Sequence, residues 1–108
     1  MLTFNLKKEW FEKIKSGEKT HEYRVSNSYW DKRLYKYFWT YQNRYDLSEF
    51  LICFACGYPR KGDKEKRLYA KMRNIKIVIG RNTDLKIDKP VYDIEFELIE
   101  DKDDQRRI

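Results

Sequence analysis

Apolar and polar positions alternate from the first residues, with Leu2, Phe4 and Leu6 set against Thr3 and Asn5, the period of a half-buried strand. From Lys7 to Ser16 the period lengthens, so that Trp10, Phe11 and Ile14 share one helical face, and Gly17 stands where a helix stops at positive φ. A strand beginning at Thr20 places Thr20, Glu22 and Arg24 on one face and His21, Tyr23 and Val25 on the other, with Lys19 in the turn. Ser26, Asn27 and Ser28 offer an N-cap, and Trp30, Leu34, Tyr37, Phe38 and Tyr41 then recur at intervals of three and four, predicting a second helix whose end the pattern leaves open within residues 35–49. The apolar run Phe50 to Cys56 reads as a buried strand, closed by Gly57-Tyr58-Pro59 and followed by a basic loop from Arg60 to Arg67. Leu68, Ala70 and Met72 then give way to Ile75, Ile77 and Ile79, so one long strand must change face near Arg73 and Asn74, as at a bulge or a barrel corner. After a turn from Gly80 to Asp84, Tyr92, Ile94, Phe96 and Leu98 alternate with Asp93, Glu95 and Glu97 in a closing strand. The tail from residue 100 to 108 has no apolar face and is expected to fray.

About five or six strands with two helices, and no repeating strand-helix-strand unit, predict an α+β fold with a mostly antiparallel, curved sheet. At 108 residues the chain forms one domain. Charged residues make up 39% of it and aromatics 17%, so the core must be built from few, large side chains. No apolar run approaches the ~20 residues that span a bilayer, and the N-terminus enters the first strand directly, so no membrane association and a cytoplasmic location are expected. Cys53 and Cys56 form a C-x-x-C, but within an apolar strand whose positions i and i+3 face opposite sides, and His21 is the only histidine. Core thiols are expected there rather than a metal or redox site.

Charge adds a direction. The formal net charge is +6, yet residues 60–81 hold nine basic and two acidic side chains, whereas residues 82–104 hold three basic and nine acidic. Such polarity suits an oriented approach to a polyanion, and also suits two solvated faces. Eight of the 18 aromatic residues lie between Tyr29 and Tyr45, among Lys32, Arg33, Lys36 and Arg44. That composition fits a surface that stacks bases while pairing phosphates, or a helix burying an aromatic stripe, with the off-stripe Tyr29, Tyr35 and Trp39 left as ligand candidates.

The one stretch dense in candidate chemistry is Gly17 to Arg24, where Lys19, Glu22 and Arg24 follow a helix-stopping glycine. The pattern Gly-x-Lys-x-x-Glu-x-Arg behind an amphipathic helix resembles the ASCH domain. The opening strand and helix, Tyr29-Trp30-x-x-Arg33-Leu34, Gly57-Tyr58-Pro59 and Val91 to Ile94 extend the resemblance over most of the chain. It implies a PUA-like, small curved β-barrel with two flanking helices. It also implies RNA or nucleotide binding, or, as in some members, hydrolysis of N(4)-acetylcytidine with a lysine at the Lys19 position, or a ribonuclease activity such as has been proposed for others. Those hydrolases carry a threonine where this chain has Glu22, and a glutamate on a helical insertion that the span from Ile79 to Val91 is too short to hold.

For an enzyme, Glu22 would activate water, Lys19 would stabilise the developing oxyanion, and Arg24 would anchor a phosphate or orient Glu22. The same three residues could equally form an ion network that closes the barrel. The candidate catalytic residues are therefore Lys19 and Glu22. The candidate ligand-binding residues are Arg24, Tyr29, Trp30, Arg33, Tyr58 and Lys61. No cofactor or metal is expected, the expected partner is RNA or a nucleoside or nucleotide, and a monomer is expected.

Overall fold

The computed structural model describes residues 1–44 and 50–99. The strands are β1 (Leu2–Leu6), β2 (His21–Val25), β3 (Leu51–Cys56), β4 (Arg67–Ile79) and β5 (Pro90–Leu98), and the helices are α1 (Lys8–Lys15) and α2 (Ser28–Arg44). Short 3-10 turns occupy Lys64–Lys66 and Gly80–Asn82. The strands form one mixed sheet in the order β1-β3-β4-β5-β2, curved into a half-barrel, with β1 parallel to β3 and the other three pairings antiparallel. The α+β expectation is met. The fraying predicted for 100–108, and Tyr45 of the aromatic stretch, lie outside the described residues.

Each local signal has a physical counterpart. Phe11 and Ile14 of α1 are buried, and Gly17 carries φ +86°, a conformation that a Cβ would disfavour. Asn27 caps α2 by accepting a hydrogen bond from the Trp30 N–H at 2.9 Å, the geometry expected of an N-cap asparagine. On α2, Leu34 is fully buried while Trp30, Tyr37, Phe38 and Tyr41 pack against the core around it. Asp31, in the first turn, accepts hydrogen bonds from the Tyr92 hydroxyl at 2.7 Å and from Ser26 Oγ at 3.0 Å, tying the helix to β5. Burial, followed by this carboxylate contact, raises the Tyr92 pKa well above its ordinary value.

The change of face in β4 is a register shift between Met72 and Asn74, with Arg73 as the extra residue. Met72 and Ile75 are both fully buried across it, which strict alternation could not achieve. Ile77 and Ile79 continue the new phase but stay exposed, at 40% and 52%. In β3, Ile52 and Phe54 enter the main core with Phe4, Phe96 and Ile94. Cys53 is buried on the opposite face, beside Thr3, Tyr69 and Arg67, and burial raises its thiol pKa. Both cysteines are free, with Cys56 packed against the core and half-exposed. Among the described residues no group of His, Cys, Asp and Glu is placed to hold a metal ion, and no helix is long and apolar enough to cross a membrane.

Candidate functional site

The strand order leaves β1 and β2 as the two edges of the sheet, although α1 makes them neighbours in sequence. An open half-barrel has a seam where its edges approach, and the unpaired backbone groups there need other partners. Arg24 on β2 supplies one, because its Nη2 donates to the carbonyl of Asn5 on β1 at 3.3 Å. The guanidinium also lies 5.1 Å from the Phe4 ring and 5.0 Å from the Trp30 ring, which stack on each other at 5.3 Å. An arginine over two aromatic faces gains from both packing and ring charge distribution.

Glu22 pairs in register with Ile94, so the alternation of β2 turns its carboxylate inward. It is 5% exposed. Its Oε2 accepts from Arg24 Nε at 3.0 Å and from Arg24 Nη2 at 2.5 Å, while Oε1 faces Lys19 Nζ at 3.6 Å, past hydrogen-bond reach. Among the described residues, Glu22 Oε1 accepts no hydrogen bond. Lys19 is held by its own N–H, which donates to the Lys13 carbonyl at 3.0 Å, and its ammonium pairs with Asp84 while lying 5.2 Å from the Trp10 ring and 5.0 Å from that of Tyr23. Burial first, then the Asp93 and Asp84 carboxylates, raise the Tyr23 pKa. The charged groups thus form one alternating row, Asp84, Lys19, Glu22, Arg24.

Asp84 reaches Lys19 because its loop is packed. Buried Thr83 donates through Oγ1 to the Gly80 carbonyl at 2.8 Å and accepts from the Leu85 N–H at 3.2 Å. Gly80 is required by space, since a Cβ there would stand 2.8 Å from both the side chain and the carbonyl oxygen of Ile87. The Asp84 side chain is 40% exposed, against 10% for Lys19 and 6% for Glu22, so it is the accessible end of the row.

A cleft of about 670 Å³ opens at this seam, within the range of ~300–1,000 Å³ typical of small-molecule sites. Lys19, Glu22 and Arg24 line it together with Trp10, Trp30, Leu85 and Lys89. On the other side of Lys19 is a smaller cavity of about 290 Å³, to which Lys13, Glu18 and His21 contribute, and which shares Trp10, Lys19, Tyr23 and Asp84 with the cleft.

Of the residues singled out in the sequence, Lys19, Glu22, Arg24 and Trp30 meet in the cleft, and the other four lie outside its lining. Tyr29 stands edge-on to Trp30 at 5.0 Å, and Arg33 stacks 3.5 Å over the Tyr29 ring while donating to the Tyr29 carbonyl at 2.8 Å, so this pair serves the helix surface. Tyr58 is 90% exposed and Lys61 is exposed in the basic turn between β3 and β4. The site residues missed were Asp84 and Trp10. No sequence signal could place Asp84 on a lysine 65 positions earlier. Trp10 packs against the core, as its place on the α1 stripe predicts, yet it also lines both cavities, which helical spacing alone does not mark. Compared with protein-family models and with curated proteins, the chain matches neither.

Proposed function

We propose that the chain is an ASCH-like module of PUA-like fold, a cytoplasmic monomer that binds RNA or a nucleotide in the cleft between β1 and β2. The observation that carries this reading is Glu22 Oε1, which faces Lys19 at 3.6 Å but accepts no hydrogen bond among the described residues, at the inner end of a cleft walled by Trp10 and Trp30. Planar rings fit against such walls, and a base edge carries the N–H donors that the free oxygen lacks. Lys7 and Lys89 in the lining offer positive charge to a phosphate, and the basic block of residues 60–81, outside that lining, adds to the net +6 of the chain.

The same oxygen favours a second reading, hydrolysis of a modified nucleoside or of RNA. Glu22 Oε1 would take a proton from water, and Lys19, 3.6 Å away, would stabilise the charge that develops on the attacked group. Binding to short single-stranded RNA and to nucleosides, measured between 50 and 200 mM salt, tests both. Contact with about three phosphates gives a slope near −2 in log affinity against log salt, a loss of roughly 15–20-fold over that range. Absent binding at low salt, or affinity unchanged by salt, overturns the RNA reading. Glu22→Gln separates the two, since turnover lost at retained affinity marks an enzyme, whereas no turnover by the native chain marks a binding module.

A further inference from the structure

The two cavities meet at Lys19, and the strand between them explains why. Along β2 alternate residues point to opposite faces, so Glu22 and Arg24 line the inner cleft while His21 contributes to the outer cavity. Tyr23 borders both. The outer cavity has its own stacking surface, since His21 and Tyr23 lie nearly parallel, 15° apart with ring centroids 6.2 Å apart. Trp10 forms the common wall, and two ammonium groups converge on its ring, Lys13 at 4.9 Å and Lys19 at 5.2 Å. A ligand that fills the inner cleft therefore leaves a second aromatic surface next to it, with lysines at the junction.

We infer that the site takes two consecutive nucleotide units of a single strand, one base in the inner cleft and the neighbouring base on the His21–Tyr23 surface, with the phosphate between them at Lys19. This rests on the RNA-binding reading above and adds its footprint: a dinucleotide is the minimal full ligand. Charge decides how the outer half contributes. Lys13 and Lys19 face Glu18 and Asp84 in the lining, and Asp93 at 2.6 Å from His21 Nδ1 and Glu95 at 3.9 Å from its Nε2 add negative charge beside the ring, so stacking must supply the outer half's share. For the phosphate to reach Lys19, Asp84 has to give way, and of the two carboxylates on that lysine it is the one at the surface.

Titration calorimetry with the four ribonucleoside 5′-monophosphates and the sixteen ribodinucleotides tests the footprint. At least one dinucleotide should bind about tenfold or more tightly than either of its component monophosphates, equivalent to ~1.4 kcal/mol. His21→Ala, outside the inner cleft, should remove most of that advantage while leaving monophosphate affinity unchanged, and Lys13→Ala, at an exposed position, should remove a smaller part of it. Dinucleotides bound within about twofold of monophosphates would overturn the footprint and leave the inner cleft as a binding site. A dinucleotide advantage that survives both substitutions would overturn the outer cavity as its source. No binding of either ligand class would overturn the RNA-binding reading itself.

Discussion

The pair Glu22 and Arg24 allows a prediction in which the two single substitutions have unequal costs. Breaking a buried ion pair from one side costs ~3–5 kcal/mol because the surviving charge is left uncompensated. Arg24→Ala approaches that full amount. It strands a carboxylate that is 5% exposed and whose nearest remaining cation is 3.6 Å away, and it also removes the bond to the Asn5 carbonyl and the contacts with Phe4 and Trp30. Glu22→Ala should cost less, ~2 kcal/mol, because Arg24 keeps Asn5 and both rings, Lys19 keeps Asp84, and the guanidinium side chain is 21% exposed and so partly solvated. The double variant should cost less than the sum, leaving a coupling energy of ~1–3 kcal/mol. Urea melts read this directly. With a slope of ~1–3 kcal/mol per molar, Arg24→Ala lowers the midpoint by about 1–5 M. A coupling below ~0.5 kcal/mol, or a larger cost for Glu22→Ala than for Arg24→Ala, would refute the assignment of Arg24 as the residue that closes the seam.

Two further outcomes follow from the packing. Gly80→Ala should cost ~1–3 kcal/mol from overpacking against Ile87 and Val91 and should shift the loop that presents Asp84, which urea melts and the amide spectrum of residues 80–89 would register. Burial, and after it the Asp31 carboxylate, raise the folded-state pKa of the Tyr92 hydroxyl above the ordinary phenol value of about 10, so its contribution is complete below about pH 10 and is lost as pH rises above that. The native chain should therefore lose stability more steeply than Tyr92→Phe above about pH 10, and equal slopes there would contradict the raised pKa.

The sequence made the elements legible wherever one periodicity prevailed over enough residues. The helix stop at Gly17, the Asn27 cap and the bulge at Arg73 each follow from local sterics or from which face a side chain must reach. The inward direction of Glu22 and Arg24 followed too, because strand alternation depends only on spacing. What stayed hidden depends on the third dimension. The parallel pairing of β1 with β3, which makes β1 and β2 the edges, joins strands separated by α1, β2 and α2. Asp84 sits in a turn whose sequence says only that it turns. The aromatic face of α2 could be divided into core and surface positions, yet only Trp30 of its candidates turns toward the seam, since the side of a helix that meets a cleft is set by docking rather than by period. Tyr35 and Trp39, also off the stripe, are exposed at 54% and 58% and lie outside the cleft lining as well.

The placement of the edges also fixes an order of assembly. β3, β4 and β5 form an antiparallel meander of consecutive strands, whose pairing needs only short loop closures. β1 and β2, which carry the seam, come from residues 2–25, and the sheet partner of β2 is β5, the last strand among the described residues. During synthesis β1 can pair with β3 once that strand is made, but β2 has no sheet partner until β5 follows. The cleft is thus the final part of the molecule to form, and a chain cut short before β5 would hold every residue of the charged row without the strand that brings them together.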